Sequence, residues 1–313
     1  MRRGICFFMA VALCIWAVAL CRRAESLGSG VTVLLDRAVT LAEAEEIWQR
    51  EGEEKTPVGF CLYGPRQTGN LSCPDTGKTA LAPITAVYGN TALLGAEALT
   101  WSRGCVPDRQ TAQNLFGTER LGAQQVRLAG ETLPALAVHE ALTPGVLVSA
   151  GAEDTLTRCV LAGWDENGAQ TAQAFLLRHG LSGTILNYYP LLAWAKNAAL
   201  LPLWGLLALA SLRAGERKRI FGVLLALAGG ALLFRFLVIP RDAIPSRWSD
   251  FSFWGSLLQA RRANFLAIVT AAEDRALQME RNMIQSGICA LAGLLAAALG
   301  GRRERHAASA HRG

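Results

Sequence analysis

The chain has 313 residues, of which 51% are hydrophobic and 18% are charged, and its mean hydropathy is +0.26. An ordinary soluble domain carries about 25% charged residues, so the composition indicates that lipid solvates part of this chain. The length allows one compact domain of roughly 150 residues together with several membrane helices, which argues against a purely soluble globular protein.

The formal charge of +6 is unevenly distributed along the chain. Residues 24–190 carry 11 basic and 18 acidic side chains, whereas the remainder carries 20 basic and 7 acidic ones. The basic side chains therefore lie mostly beside hydrophobic segments, a pattern typical of membrane topology signals. This distribution argues against nucleic-acid binding, which would need a basic patch on the folded domain itself.

Four hydrophobic segments are long enough to cross a bilayer core of about 30 Å, which needs about 20 apolar residues in a helix. The first is free of charge, and the second and third carry Lys196 and Arg235 near an end, where a long side chain can reach the interface. The first segment has an alternative interpretation as a cleaved signal peptide. The four predicted spans are residues 4–21, 191–212, 220–240 and 283–300.

Two basic segments set the predicted orientation. One is the short connection at 213–219, between the second and third spans, and the other is the tail at 301–313, which holds four basic residues. By the positive-inside rule both are cytoplasmic, and four spans then place the N-terminus there as well. We expect a multi-pass cell-membrane protein with both termini cytoplasmic and residues 27–189 outside. The basic residues of the connection are Arg213, Arg217, Lys218 and Arg219.

Residues 27–189 alternate between short apolar runs and capped helical patterns, which predicts an α+β domain. Thr40 and Glu43 have capping-box spacing, and Asp108 can cap a helix that Gly117 closes. The predicted fold class is an α-helical membrane protein with four transmembrane helices and an α+β extracytoplasmic domain. Predicted strands cover 31–35, 58–63 and 81–88, predicted helices cover 40–51, 108–116 and 171–179, and a hairpin turning at Gly130 covers 126–133.

The predicted outside domain contains four of the eight cysteines. An even number in an oxidising compartment permits disulfides, and four cysteines allow three complete pairings. The alternative is that they are buried free thiols. The candidate disulfide cysteines are Cys61, Cys73, Cys105 and Cys159.

No pattern in the sequence predicts catalysis, a cofactor or a metal site. The segment from Ser72 to Thr79 approaches a phosphate-binding loop, but serine stands where the consensus needs glycine. Pro83 follows where such a loop needs a helix, so a surface turn is expected. His139 and His179 have no second ligand at metal-binding spacing. We therefore expect neither an enzyme nor a cofactor-binding protein.

Residues 241–282 separate the third and fourth predicted spans. From Trp254 to Val269, apolar residues recur at helical spacing, interrupted by Arg261 and Arg262. This pattern predicts an amphipathic helix outside the membrane rather than a fifth span, which would have to bury both arginines. The apolar face of this helix either lies at the outer membrane interface or packs against the outside domain.

One segment of the outside domain has a distinctive order of residues: a short apolar run, an acidic cap, a helix ending in Leu-Phe-Gly, and a hairpin. These residues are Gly104-Cys-Val-Pro-Asp108, Thr111-Ala112, Leu115-Phe116-Gly117, Gly122, Val126 and Gly130. This order resembles the periplasmic core of the MacB/FtsX-type permeases of ABC transporters. One span, a large outside domain and three further spans also resemble the layout of that family.

The resemblance implies a permease-like membrane subunit of an ABC-type transport or mechanotransmission system, without its own ATPase. It also implies contact with membrane lipid, a homodimer or paired permease, and a separate cytoplasmic ABC ATPase. That ATPase would contact the connection at 213–219, so the resemblance makes Arg213, Arg217, Lys218 and Arg219 the expected coupling residues. The alternative function is a membrane-anchored extracytoplasmic binding or scaffold protein, which needs no ATPase.

Overall fold

The computed structural model describes the α+β domain and part of the segment between the third and fourth predicted spans. Most of the predicted spans, the whole connection at 213–219 and the tail at 301–313 lie outside the described residues. The four-span topology therefore stays a prediction. The described residues are 12–13, 15–20, 22, 30–119, 121–139, 145–163, 167–193, 196–197, 244, 251–271, 281–282, 284–286, 288–289 and 292.

No helix within these described ranges is both long enough and apolar enough to cross a membrane.

The chain forms two compact units. One unit comprises Met1–Leu27, Tyr188–Gln259 and Leu277–Gly313. The other comprises Gly28–Asn187 together with Ala260–Ala276. The second unit thus contains the α+β domain and also a stretch from the segment between the third and fourth predicted spans.

Within the described residues, the α+β domain contains ten strands and four α-helices, and a fifth helix lies further along the chain. The strands are β1 Gly30–Val39, β2 Phe60–Tyr63, β3 Gln67–Ser72, β4 Thr79–Gly89, β5 Cys105–Pro107, β6 Gln125–Leu128, β7 Glu131–Pro134, β8 Val146–Ser149, β9 Leu156–Ala162 and β10 Gly183–Leu186. The helices are α1 Leu41–Gly52, α2 Ala98–Trp101, α3 Arg109–Phe116, α4 Gly168–Arg178 and α5 Phe251–Thr270, and a short 3₁₀ helix covers Thr91–Leu94.

The strands form one mixed sheet in which most neighbours are antiparallel. The longest of these strands, β4, pairs with both β2 and β3. Tyr63 of β2 lies opposite Val87, and Gln67 of β3 lies opposite Ile84, so the register of the pairing shifts by one residue between β2 and β3. Strand β8 pairs with β4 in parallel and with β5 in antiparallel orientation. The main strand order is β10-β1-β9-β2-β4-β3-β6-β7.

Buried apolar clusters hold the helices to the sheet. One cluster joins α1 and α4 to β1, β2 and β9, and its fully buried members include Phe60, Leu161 and Phe175. Another surrounds α3, where Ala112 and Leu115 have no exposed surface. Full burial of a leucine or phenylalanine side chain contributes roughly 1.5–3 kcal/mol. These contacts therefore fix the position of α3, which is too short to be stable by itself.

The residues at the start of α1 and those at 72–79 form the local structures that the sequence predicts. Thr40 Oγ1 accepts a hydrogen bond from Glu43 N–H at 3.3 Å, and the Glu43 carboxylate accepts from Thr40 N–H at 2.9 Å. This completes the predicted capping box. Within the segment at 72–79, the residues between the end of β3 and the start of β4 form a turn, closed by a 2.9 Å hydrogen bond from Cys73 N–H to the Lys78 carbonyl oxygen. A strand follows it, so it is the predicted surface turn.

Candidate functional site

The segment that carries the family resemblance folds in the predicted order, as strand β5, helix α3 and the hairpin β6–β7. Asp108 caps α3, because its Oδ1 accepts a hydrogen bond from Thr111 N–H at 2.6 Å. Gly117 ends the helix in the left-handed conformation, with φ +73°. The acid-capped helix, its terminating glycine and the hairpin are therefore confirmed.

The second carboxylate oxygen of Asp108 binds a distant part of the chain. Its Oδ2 accepts a hydrogen bond from Gly145 N–H at 2.8 Å, and Asp108 N–H donates to the Gly145 carbonyl oxygen at 2.8 Å. A Cβ atom at Gly145 would lie 2.3 Å from the Pro83 carbonyl oxygen, and φ is +132° there, so the position requires glycine. One buried carboxylate thus holds the start of α3 against the start of β8.

His139 completes the same hydrogen-bonded group. Its backbone N–H donates to the Pro107 carbonyl oxygen at 3.0 Å, and its Nε2 lies 3.3 Å from the Gly145 carbonyl oxygen. Burial lowers the pKa of the imidazole, although the hydrogen bond to Gly145 and the charge of Asp108 act to raise it. A lowered pKa keeps the ring neutral at pH 7, so His139 acts as a packed, hydrogen-bonded side chain rather than a cation.

A second buried polar group ties the C-terminal ends of α1 and α4 together. Glu51, on α1, is only 3% exposed. Its Oε1 accepts hydrogen bonds from Val58 N–H and from Arg178 Nη1, both at 2.8 Å, and its Oε2 lies 2.7 Å from His179 Nε2. Arg178 and His179 are the last residue of α4 and its C-cap. The carboxylate therefore joins the ends of α1 and α4 to Val58, which lies shortly before β2.

The donors around Glu51 control its protonation. Burial acts to raise the pKa of the carboxyl group, but hydrogen bonds from Val58, His179 and Arg178, with the charge of Arg178, hold the pKa below its ordinary value. Glu51 is therefore ionised at neutral pH. Both of its oxygens are occupied by donors, so the group serves as a structural tie and offers no free base for catalysis.

The described residues contain no group of three or more histidine, cysteine or acidic side chains placed to hold a metal ion.

The four candidate disulfide cysteines are buried free thiols in the structure. Burial raises the pKa of Cys61 and of Cys105 to about 12, and it raises that of Cys159 as well. In the β2–β9 pair, Cys61 lies opposite Val160 while Cys159 lies opposite Leu62, so the two thiols point to opposite faces of the sheet. This geometry is unsuited to a Cys61–Cys159 bridge. Any other pairing stays a prediction.

Helix α5 is joined to the end of the sheet by a side chain that sequence reasoning missed. The Asn264 amide donates from Nδ2 to the Asn187 carbonyl oxygen at 2.7 Å, and its Oδ1 accepts from Asn187 N–H at 3.1 Å. Asn187 directly follows β10, so this amide pairs with the backbone as a neighbouring strand would. Ile268, one turn further along α5, has no exposed surface. Of the two predicted positions for this helix, packing against the α+β domain is therefore present.

The structure brings together Asp108 with His139, and Glu51 with His179, in two separate hydrogen-bonded groups. The expected coupling residues at 213–219 lie outside the described residues, so their role stays a prediction. Neither group could be found from local sequence spacing, because Glu51 and His179 are 128 residues apart, and Asp108 and Gly145 are 37 residues apart.

No protein-family model matches the chain, and no curated protein matches it. Solved structures similar to it are the periplasmic region of MacB from Actinobacillus actinomycetemcomitans and the extracellular domain of the ABC-type transporter YknZ from Gram-positive bacteria. The first covers 51% of this chain and 88% of its own, with 10% identity and a TM-score of 0.38. The second covers 50% and 97%, with 8% identity and a TM-score of 0.35. At these values the similarities decide nothing about function, which has to be inferred from this chain's own residues.

Proposed function

We propose that the chain is a permease-like membrane subunit of an ABC-type transport or mechanotransmission system, working with a separate cytoplasmic ATPase. The observation that carries the proposal is the segment from Gly104 to Gly130. Its strand, Asp108-capped helix, terminating Gly117 and hairpin form in the order that the family resemblance implies. The predicted order of one span, this domain and three further spans supports the same function.

In the proposed mechanism, the connection at 213–219 receives the movement of the ATPase. It is the short predicted cytoplasmic link between two spans, so a displacement there moves both helices together. The basic residues Arg217, Lys218 and Arg219 suit a surface with acidic side chains. A homodimer or a paired permease would present two such connections to the two halves of an ATPase dimer.

The coupling role predicts a specific loss in the double variant Arg217→Gln and Arg219→Gln. Arg213 and Lys218 remain as topology signals, so the variant should insert into the membrane as the wild type does. Tagged full-length protein is purified from its native host, and vanadate-sensitive ATP hydrolysis is measured in the eluate. We expect the activity that co-purifies with the wild type to be lost from the variant.

The matched control is the double variant Arg302→Gln and Arg303→Gln, which removes the same charge from the predicted cytoplasmic tail. It should retain the co-purifying hydrolysis. If the first variant inserts and keeps wild-type hydrolysis, the connection is only a topology signal. If no hydrolysis co-purifies with the wild type at all, the scaffold alternative replaces the permease function.

A further inference from the structure

Helix α5 has two apolar faces, where the sequence predicts one. The first carries Asn264 and the fully buried Ile268, and it belongs to the compact unit of the α+β domain. The second is a row at spacing i, i+7, i+14 and i+18, which lies along a single side of a helix with about 3.6 residues per turn. We call this row the apolar stripe; it consists of Phe251, Leu258, Phe265 and Val269.

The apolar stripe is exposed along its whole length. Phe251 is 84% exposed and Leu258 is 70% exposed, while Phe265 and Val269 are 37% and 40% exposed. Leu266, beside the stripe, is 50% exposed. Single exposed apolar side chains are ordinary on protein surfaces, but four of them aligned on one side of a helix mark an interaction surface.

The charge of α5 indicates what covers the stripe. The helix contains Arg261 and Arg262 and no acidic residue. Arg262 is exposed. It lies four residues after Leu258 and seven before Val269, so it is on the same face of the helix as the stripe. A basic side chain beside an apolar face suits a layer of anionic headgroups over acyl chains. A second copy of the same helix would instead bring like charges together.

We propose that the apolar stripe lies in the headgroup region of the bilayer, with Arg262 at anionic lipid. The face of α5 that carries Asn264 meanwhile binds the α+β domain. Helix α5 is thus an adaptor with one face for the sheet and another for lipid. The inference needs the predicted membrane spans, but it does not need coupling to an ATPase.

Photo-crosslinking from lipid tests the proposal on the full-length protein. The protein is reconstituted in nanodiscs of phosphatidylcholine and phosphatidylglycerol that carry a diazirine lipid, and adducts are mapped by mass spectrometry after irradiation. We expect adducts on the apolar stripe and their absence from Ser256 and Ala263, which are exposed on the other side of α5. The double variant Leu258→Glu and Phe265→Glu should lose the α5 adducts. The control variant Ser256→Glu, which adds a charge on the other side of α5, should keep them.

The predicted span at 283–300 serves as the internal standard. If that span is labelled and α5 is not, the lipid contact is wrong, and a stripe-to-stripe protein crosslink would then identify a second copy as the occupant. Equal labelling of both sides of α5 would also overturn the proposal, because it would mean that lipid surrounds the helix. If residues 283–300 carry no adducts either, the membrane assignment fails together with the inference.

Discussion

A carboxylate as deeply buried as that of Glu51 stabilises a fold only when donors occupy its oxygens. Here Val58, Arg178 and His179 supply those donors from two other parts of the chain. Removing the charge of Glu51 leaves these donors without a carboxylate acceptor. The contact between α1 and α4 is therefore weakened. Arg178 is partly exposed, so water can solvate some of its charge and limit the loss.

The variant Glu51→Gln should lower the free energy of unfolding by about 2 kcal/mol, because the amide cannot accept all the hydrogen bonds of the carboxylate. The control Glu46→Gln lies on the same helix, where Glu46 pairs with Arg50 at the surface. It should cost less than about 0.5 kcal/mol. Chemical denaturation of the full-length protein in detergent measures both, and equal effects of the two variants would contradict the role of Glu51.

The difference in stability between the wild type and Glu51→Gln should also depend on pH. Folding lowers the pKa of Glu51, so its contribution is complete above the ordinary carboxyl pKa and is lost as the pH falls through the folded value. The stability gap between the wild type and Glu51→Gln should be constant near neutral pH and shrink below about pH 4.5. A gap that widened in acid would contradict this assignment.

At the scale of elements, the hairpin β6–β7 contains a residue under conformational strain. Its two turn residues, Ala129 and Gly130, have φ of +50° and +90°, as in a type I′ turn. Gly130 adopts this conformation without cost, but an alanine in the left-handed region does not. The hairpin is therefore held by its strand pairing, including Val126 with Leu133, against the preference of one turn residue.

Two replacements of Ala129 test this strain, because they should change the free energy of unfolding in opposite directions. Ala129→Asn should raise the free energy of unfolding by about 0.5 kcal/mol, because asparagine tolerates the left-handed conformation better. Ala129→Val should lower it, since a β-branched side chain is strained there. Ala123→Asn, at an exposed position just before the hairpin, is the matched control and should be neutral. Thermal unfolding of the four proteins measures the order, and a stabilising valine would contradict the turn assignment.

Sequence-based prediction succeeds where the signal lies within a few residues of the element and fails where it depends on residues distant in sequence. Helices α1 and α3 are where Thr40 and Asp108 predict them, because a cap acts within a few residues. Helix α4 starts three residues before the predicted Thr171, where Asn167 makes no side-chain cap. Strands β3, β8, β9 and β10 were missed, since short strands depend on partners distant in sequence. The hydrogen bonds of Asn264 were missed for the same reason.

For the whole molecule, the charge distribution makes a prediction about topology. The connection at 213–219 and the tail at 301–313 are the most basic parts near the predicted spans, so both should be cytoplasmic. A reporter active only outside the cytoplasm should be active when fused after Asn187 and inactive when fused after Gly313. A cytoplasmic reporter should show the reverse pattern. Activity of the outside reporter at Gly313 would contradict the four-span topology.

The pairing of Asn264 with Asn187 also has a consequence for biosynthesis. The two residues are 77 positions apart, so the sheet is translated well before the helix that completes its edge. At about 5–20 residues per second, a ribosome needs roughly 4 to 15 s to add the intervening chain. Throughout that interval the two hydrogen bonds between Asn187 and Asn264 cannot form. Nascent chains that end between these two positions should therefore bind a chaperone, and chains long enough for α5 to have emerged should not.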